Sequence, residues 1–455
     1  MKKTKAREAA SGKGWGICLF VVSLAWRCGI VFDIMNINFR RTGANGLHIV
    51  VSAVLCGALT ATATDGRYRE YVVGERAGGM GGAALALATD VDSVFYNPAG
   101  LSKAQGDSIS LSANLYGFER YETEGALAWG DDAKSSSFVT IPAAMGGVAR
   151  YSDEWVGGFG VFTPKMEKRH FVASSPDRTG FSNLDYDDQT VWIGAAAAWS
   201  PADSRFSFGA GVFAIYRDFS ASESMFRRGV YTQSGAMDLQ TLGILATVGV
   251  QADLGDGWSA GVTVQSPTAR IWDDGKLSFS GADDALDMGV YTTDVSADNY
   301  IPWQLAAGIG KAGQDWAVAL DAIWHPSAHY DLARWNVGGG RLVQPIHLHS
   351  VLDVSVGGEY VVAGSYPIRA GFYTAKSASR VPDDPSVTDF VSSDVDMYGV
   401  TFSVGRRSKA MSVNVGVDVA FGSGYDLDYG EDGGKVRVDS DRCVILAIVS
   451  TTYYL

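Results

Sequence analysis

The chain has 455 residues, 47 % of them apolar, yet its mean hydropathy is only +0.04, and no apolar run beyond about the first 60 residues is long enough for a membrane-spanning helix. The net charge of −13 excludes the basic face that nucleic-acid phosphates require. The apolar content must therefore lie in short segments, and 55 Gly with 20 Tyr, 20 Phe and 12 Trp suits β-structure better than helix bundles.

The first elements in chain order are two export-type segments in tandem. Lys2, Lys3, Lys5 and Lys13 precede "WGICLFVVSLAW", which Arg27 interrupts. The second begins at Met35, where Arg40 and Arg41 precede "LHIVVSAVLCGAL" and then Ala61-Thr62-Ala63. A basic region, a short apolar core and a small-x-small site form an export signature. Residues 1–63 are thus expected to be a leader, starting at Met35 and cut after Ala63. A lipid anchor at Cys56 is disfavoured by Leu55, which stands where a small residue belongs. The leader holds eight Lys/Arg and two Asp/Glu, so its loss takes the net charge from −13 to −19. It also holds Cys18, Cys28 and Cys56, leaving Cys443 alone: no internal disulfide and no Cys-based metal site are expected.

Next comes "TDVDSVFYNPAGLSKAQGDSISLSANLYG", residues 89 to 117. Its first half reads as a helical turn ending in Asn97-Pro98-Ala99-Gly100. Its second half alternates, with Ile109, Leu111, Ala113 and Leu115 opposite Ser108, Ser110, Ser112 and Asn114. From there the chain reads strand, gap, strand. Strands are expected near 108–117, 137–151, 154–164, 189–200, 204–217, 239–253, 256–265, 302–311, 314–325, 347–362, 365–374, 395–406, 409–421 and 443–454. Most approach the ~10 residues that cross a bilayer when tilted. The gaps alternate between tight turns ("YSDEW", "PADS", "LGDGW", "KAGQD", "AGSY", "RRSKA") and long polar stretches, the longest being 266–301. Short turns at one end and long loops at the other define a membrane-spanning, up-and-down, antiparallel β-barrel of about 14 strands in an all-β fold, over residues 108–455.

Face patterns agree. Met411, Val413, Val415, Val417, Val419 and Phe421 share one face, and Ser412, Asn414, Gly416, Asp418 and Ala420 the other. Trp316 and Trp324 bracket an apolar face in the manner of an aromatic girdle. The alternative is a soluble β-protein whose apolar faces meet in a core. With lipid outside, Arg217, Asp321, Asp353, Glu359, Arg369 and Asp418 line the lumen with Ala317, Ala319, Gly209, Gly211, Phe213 and Ile215, a lining suited to a mostly hydrocarbon cargo.

Other constellations carry less. His325, His329, His347 and His349 surround one expected outer loop and read as solvated loop histidines, with no metal-site pattern around them. "DLDYGEDGG" (426–434) opens like a calcium loop, but Arg437 stands where the bidentate Glu belongs. No cofactor is called for.

"VGERAGGMGGAALALATDVDSVFYNPAGL" resembles the N-terminal hatch of FadL/TodX-type outer-membrane transporters, whose hallmark is the Asn97-Pro98-Ala99 triplet. "VGGFGVFTP" (156–164), "AGVTVQSPTARIWDDGKLSFSG" (260–281), "IPWQLAAGIGKAGQDWAVALDAIW" (301–324) and "YPIRAGFYTAKSASRVPDD" (366–384) resemble further family segments in family order. The chain ends "TTYYL", so Leu455 departs from the usual terminal aromatic.

The resemblance implies that residues 64–107 fold into the barrel as a hatch. Asn97 would then satisfy the backbone by an Asx-type turn, Pro98 would bias Asn97 to extended geometry, and Gly100 would permit a sharp exit. It also implies uptake of long-chain fatty acids or other hydrophobic molecules, with lateral release where a kinked third strand, marked by Gly157, Gly158 and Gly160, loses its neighbour. Phe213, Arg217, Asp321 and Arg369 are the expected lumen contacts for cargo. The arginines would meet a carboxylate or else pair with lumen acids such as Asp321 or Asp353. Implied partners are a hydrophobic ligand and outer-membrane lipid with lipopolysaccharide, the protein being a monomer of the bacterial outer membrane and no enzyme. Two other functions stay open: a non-transporting barrel in secretion or surface assembly, and a lipid hydrolase using His325 or His329 as base.

Overall fold

The computed structural model describes residues 66–126, 131–174, 179–228, 231–283, 288–337, 340–381, 393–429 and 435–455. The expected leader, its cut site and most of the calcium-like loop lie outside the described residues. Eighteen strand segments form one antiparallel sheet that closes on itself, because the first pairs with both the second and the last. They are β1 (Ser108–Ala126), β2 (Asp131–Arg150), β3 (Trp155–Ser174), β4 (Gly180–Trp199), β5 (Phe206–Arg227), β6 (Tyr231–Gly255), β7 (Trp258–Gln265), β8 (Ala269–Asp283) and β9 (Met288–Ala297). Then follow β10 (Gln304–Ala312), β11 (Trp316–His325), β12 (Ala328–Val337), β13 (Gly340–Leu348), β14 (Val351–Val362), β15 (Tyr366–Ala375), β16 (Asp394–Arg407), β17 (Met411–Tyr429) and β18 (Lys435–Tyr454).

Eight of these segments are halves of four broken staves. β6 pairs with β7 near the tight turns and with β8 further out, so β7 and β8 make one stave. By the same logic β9 joins β10, β11 joins β12, and β13 joins β14. The barrel thus has fourteen staves, as the alternation implies. Three breaks contain proline: Pro267, Pro302 and Pro326. Proline has no N–H for a ladder, so pairing fails at each.

The outward face carries an apolar band. Val318, Leu320, Val400, Phe402, Val415 and Val417 are exposed, and Ser412, Asn414 and Asp418 on the opposite parity are buried. Aromatic rings edge the band: Trp155 stacks near Trp199 at the turn end, and Trp303 meets Trp324 edge-on at the other. Among the described residues no helix is long and apolar enough to cross a membrane.

Three expectations change. The long polar gaps are largely strand: β5 and β6 run for 22 and 25 residues, roughly twice what a bilayer needs. Above the lipid the outward face is polar and the inward face is apolar, with Phe219, Ala221, Met237 and Leu239 buried, so the ladder continues while the parity of the apolar residues inverts. The histidines His329 and His347 accordingly sit opposite each other on β12 and β13, with Nδ1 atoms 2.8 Å apart, rather than in a loop. In β1 the register shifts between Ser110 and Ser112. Ser108 and Ser110 face inward, whereas Tyr116 and Phe118 face out, so one parity does not hold along the strand.

Candidate functional site

Residues 66–107 carry α1 (Arg76–Gly79), α2 (Val91–Tyr96) and a 3₁₀ turn (Pro98–Lys103), and the inner segment up to Leu101 packs against inward-facing residues of the strands. Asp90 caps α2 by accepting from Asp92 N. The Asp92 carboxylate accepts from the backbone of Glu75, Arg76 and Ala77 at 2.9–3.1 Å, closing the first helix onto the second. Asn97 adopts extended backbone (φ −152°, ψ 102°) before Pro98, and its Oδ1 accepts from Ala99 N at 3.2 Å, an Asx-type turn. Its Nδ2 donates to Leu85 O at 2.8 Å and to Val250 O of β6 at 3.3 Å. The turn can approach the wall because two facing positions have no side chain: a Cβ at Gly209 would lie 2.2 Å from Ala99 N, and one at Gly249 2.2 Å from Asn97 Oδ1.

Charged groups on the wall hold the rest of this segment. Asp321 Oδ2 accepts from Ala84 N at 2.6 Å and Leu85 N at 2.9 Å. Arg369 donates to Glu359 and to Asn414 Oδ1, both at 2.6 Å, and Arg76 pairs with the same Glu359 at 3.1 Å. Glu75 accepts from Ser412, Asn414 and Thr452. Arg442 pairs with Glu119 and, at 2.9 Å, with Glu70, which also meets Arg67. Asp321 thus bonds the inner segment directly, whereas Arg369 bonds the wall residues Glu359 and Asn414, which in turn hold Arg76 and Glu75.

The third strand departs from regularity at Thr163–Pro164. Gly157, Gly158 and Gly160 keep register with β2 and with β4. The β3–β4 register shifts between Phe162 and Lys165, and β2–β3 pairing ends at Ala144/Phe162 among the described residues. The irregularity therefore falls beyond the glycines, where proline removes a ladder donor. A Cβ at Gly158 would meet Val94 and Leu101 of the inner segment, so this glycine makes room for that segment. Pro164 O accepts from Glu70 N at 3.0 Å and Tyr71 N at 3.3 Å, and the Tyr71 hydroxyl donates to Met166 O. Chain 70–71 thus occupies the edge of β3 that β2 leaves.

Above α2 lie two adjoining cavities of about 50 Å³ each. The deeper one is bounded by Tyr68, Arg69, Phe95, Trp192, Gln265 and His325, and the outer one by Lys165, Thr190, Arg217, Tyr300, Tyr330 and Leu348. Tyr68, Pro164, Trp192 and Ile301 border both. Many of these residues sit at stave breaks or at the β3 bulge, where interrupted pairing leaves space. Beside the deeper cavity Phe95, Phe162, Trp192 and Phe213 form an aromatic cluster with centroids 5.1–6.4 Å apart. Phe213 supports the cavity wall and does not border the cavity itself. Arg217 donates to Asp188 at 2.7 and 2.8 Å, and Lys165 meets the same carboxylate at 3.1 Å. The lumen acid it pairs with is therefore Asp188, not Asp321 or Asp353. Asp188 belongs to a stretch read as loop from sequence. Burial pushes the Tyr96 phenol up to about 12 and the Tyr68 phenol well above its ordinary range, so both remain neutral donors.

No family model matches the chain, and no curated protein does. The fold is that of several solved barrels. A FadL homologue from Pseudomonas aeruginosa superposes with a TM-score of 0.66 at 14 % identity, over 85 % of this chain and 99 % of that one. The toluene transporter TodX of P. putida gives 0.64 at 17 %, over 85 % and 99 %. The toluene transporter TbuX of Ralstonia pickettii gives 0.60 at 16 %, over 85 % and 98 %.

Proposed function

We propose that this chain is an outer-membrane transporter of the FadL/TodX type that takes up hydrophobic small molecules. The observation that carries the reading is the position of the two cavities, above an inner segment that fills the lumen and beside the interrupted β2–β3 ladder. A water-filled pore gives an apolar cargo no transfer energy, whereas an enclosed apolar wall gains it about 25 cal/mol per Å² buried. Cargo enters among the outer strands, lodges above the hatch, and leaves sideways past Thr163–Pro164 when chain 66–71 withdraws from the β3 edge. The fold shared with toluene transporters supports a hydrophobic cargo, and the resemblance of the hatch sequence supports long-chain acids within the same class.

The site of action is the bacterial outer membrane, and the protein works without catalysis. The secretion and hydrolase readings gain nothing from the geometry: His325 stacks on Tyr68 at 4.2 Å, and no serine is hydrogen-bonded to it among the described residues. The test is uptake into liposomes carrying the purified protein, alongside mass spectrometry of small molecules it retains in detergent. Retention of a hydrophobic compound with accelerated uptake supports the reading. Uptake no faster than through protein-free lipid overturns it.

A further inference from the structure

The deeper cavity is not an apolar pocket throughout. Four polar atoms in its lining have no hydrogen-bond partner: Trp192 Nε1, Gln265 Nε2, His325 Nδ1 and the Tyr68 hydroxyl. Trp192, Gln265 and His325 are 6 %, 6 % and 5 % exposed, so bulk water does not reach them freely. A buried polar group left unpaired costs about 1–3 kcal/mol. Apolar side chains of similar shape would line a hydrocarbon pocket without that cost. The groups also share a polarity. The indole and the amide nitrogen only donate, the neutral Tyr68 phenol can donate, and His325 Nδ1 takes either role by tautomer.

We infer that the deeper cavity receives an oxygen atom of the cargo, and that the cargo is therefore a hydrophobic molecule bearing a neutral hydroxyl or carbonyl group rather than a bare hydrocarbon. The inference rests on the transport reading above and names the substrate class for that site. The oxygen is neutral because the charged groups bordering the cavity, Arg69 and Asp353, are of opposite sign and offset each other. A carboxylate would give up its hydration, at several kcal/mol, for a setting with no net positive charge. The deeper cavity, at about 50 Å³, accommodates a functional group and not a whole cargo. The hydrocarbon remainder extends past Tyr68, Pro164, Trp192 and Ile301 into the outer cavity that shares those residues. Trp192 serves twice: its ring packs on Phe95 and Phe213, while its N–H turns to the oxygen.

The test uses the full chain in detergent and three probes of equal length: dodecane, 2-dodecanone and dodecanoate. Binding is followed by native mass spectrometry and calorimetry, and uptake in liposomes. The ketone is expected to bind about tenfold or more tightly than the alkane, because a site built to hydrogen-bond discriminates against a ligand lacking the group. Trp192→Phe keeps an aromatic ring against Phe95 and removes the donor. It should bring ketone affinity toward that of the alkane and leave alkane affinity within about twofold. Gln265→Leu should act in the same direction, and Trp192→Phe alone decides should the other variant fail to fold. Equal affinity for alkane and ketone in the unaltered protein overturns the inference and leaves the transport reading standing. Tighter binding of dodecanoate than of the ketone overturns the neutral assignment. Absence of binding and uptake for all three overturns the transport reading itself.

Discussion

Asn97 and Gly249 stand so close that any side chain at 249 would occupy the place of the Asn97 carboxamide: a Cβ there would lie 2.2 Å from Oδ1. One glycine in the sixth strand thus fixes where the inner segment turns. Gly249→Val should displace Asn97 and with it the bonds to Ala99, Leu85 and Val250. At roughly 1 kcal/mol per net hydrogen bond, the segment should loosen by about 2–3 kcal/mol. Hydrogen exchange across residues 84–101 should rise, and ion conductance in planar bilayers should increase, while the barrel still resists SDS at room temperature. Unchanged exchange would show that the wall yields and the turn does not.

Asp321 offers a second handle, on β11, where it bonds the N–H of the same Leu85 whose carbonyl meets Asn97. Asp321→Ala leaves the N–H groups of Ala84 and Leu85 buried without their acceptor, each costing about 1–3 kcal/mol. Asp321→Asn keeps one acceptor oxygen and should cost less than half as much. Thermal unfolding of the two variants, with exchange at residues 83–87, checks the order. A lumen acid that serves cargo alone would alter uptake in both variants without moving either readout.

Arg217, with its guanidinium on Asp188, separates a structural from a cargo role. Arg217→Ala breaks a buried pair and leaves Asp188 to Lys165, a change of the kind that costs about 3–5 kcal/mol. Arg217→Met with Asp188→Leu removes both charges and should recover most of the stability. If Arg217 also attracts anionic cargo, uptake of long-chain acids stays depressed in the stable double variant while uptake of neutral hydrocarbons is normal. Equal uptake of both classes by the double variant and the unaltered protein would remove Arg217 from the mechanism.

Much of this architecture is legible in the linear chain. The tight turns at "PADS", "LGDGW" and "RRSKA" all appear as connections between consecutive strands, and the inward parity of Asp321, Glu359, Arg369 and Asp418 follows from counting by twos. Prolines 267, 302 and 326 stand at breaks in the staves that the linear chain does not announce, since Pro345 and Pro367 stand within paired strands. The glycines at 157, 158 and 160 mislead for a matching reason. Glycine permits a kink but does not force one, whereas Pro164 withdraws a donor outright, and the register shift lies at proline.

The sequence by itself determined the alternation of strands and turns, the number of staves that follows from it and the faces of the lipid-spanning strands, because each depends on residues close together in the chain. Only the tertiary structure decided which acid each buried arginine meets, how far the strands run above the lipid, and which polar atoms surround the cavity without partners. Those relationships join residues such as Arg442 and Glu70, or Asp321 and Leu85, that are hundreds of positions apart. A chain brings such groups together only when residues far apart in sequence pack around the segment from 66 to 102, and no local periodicity encodes that meeting.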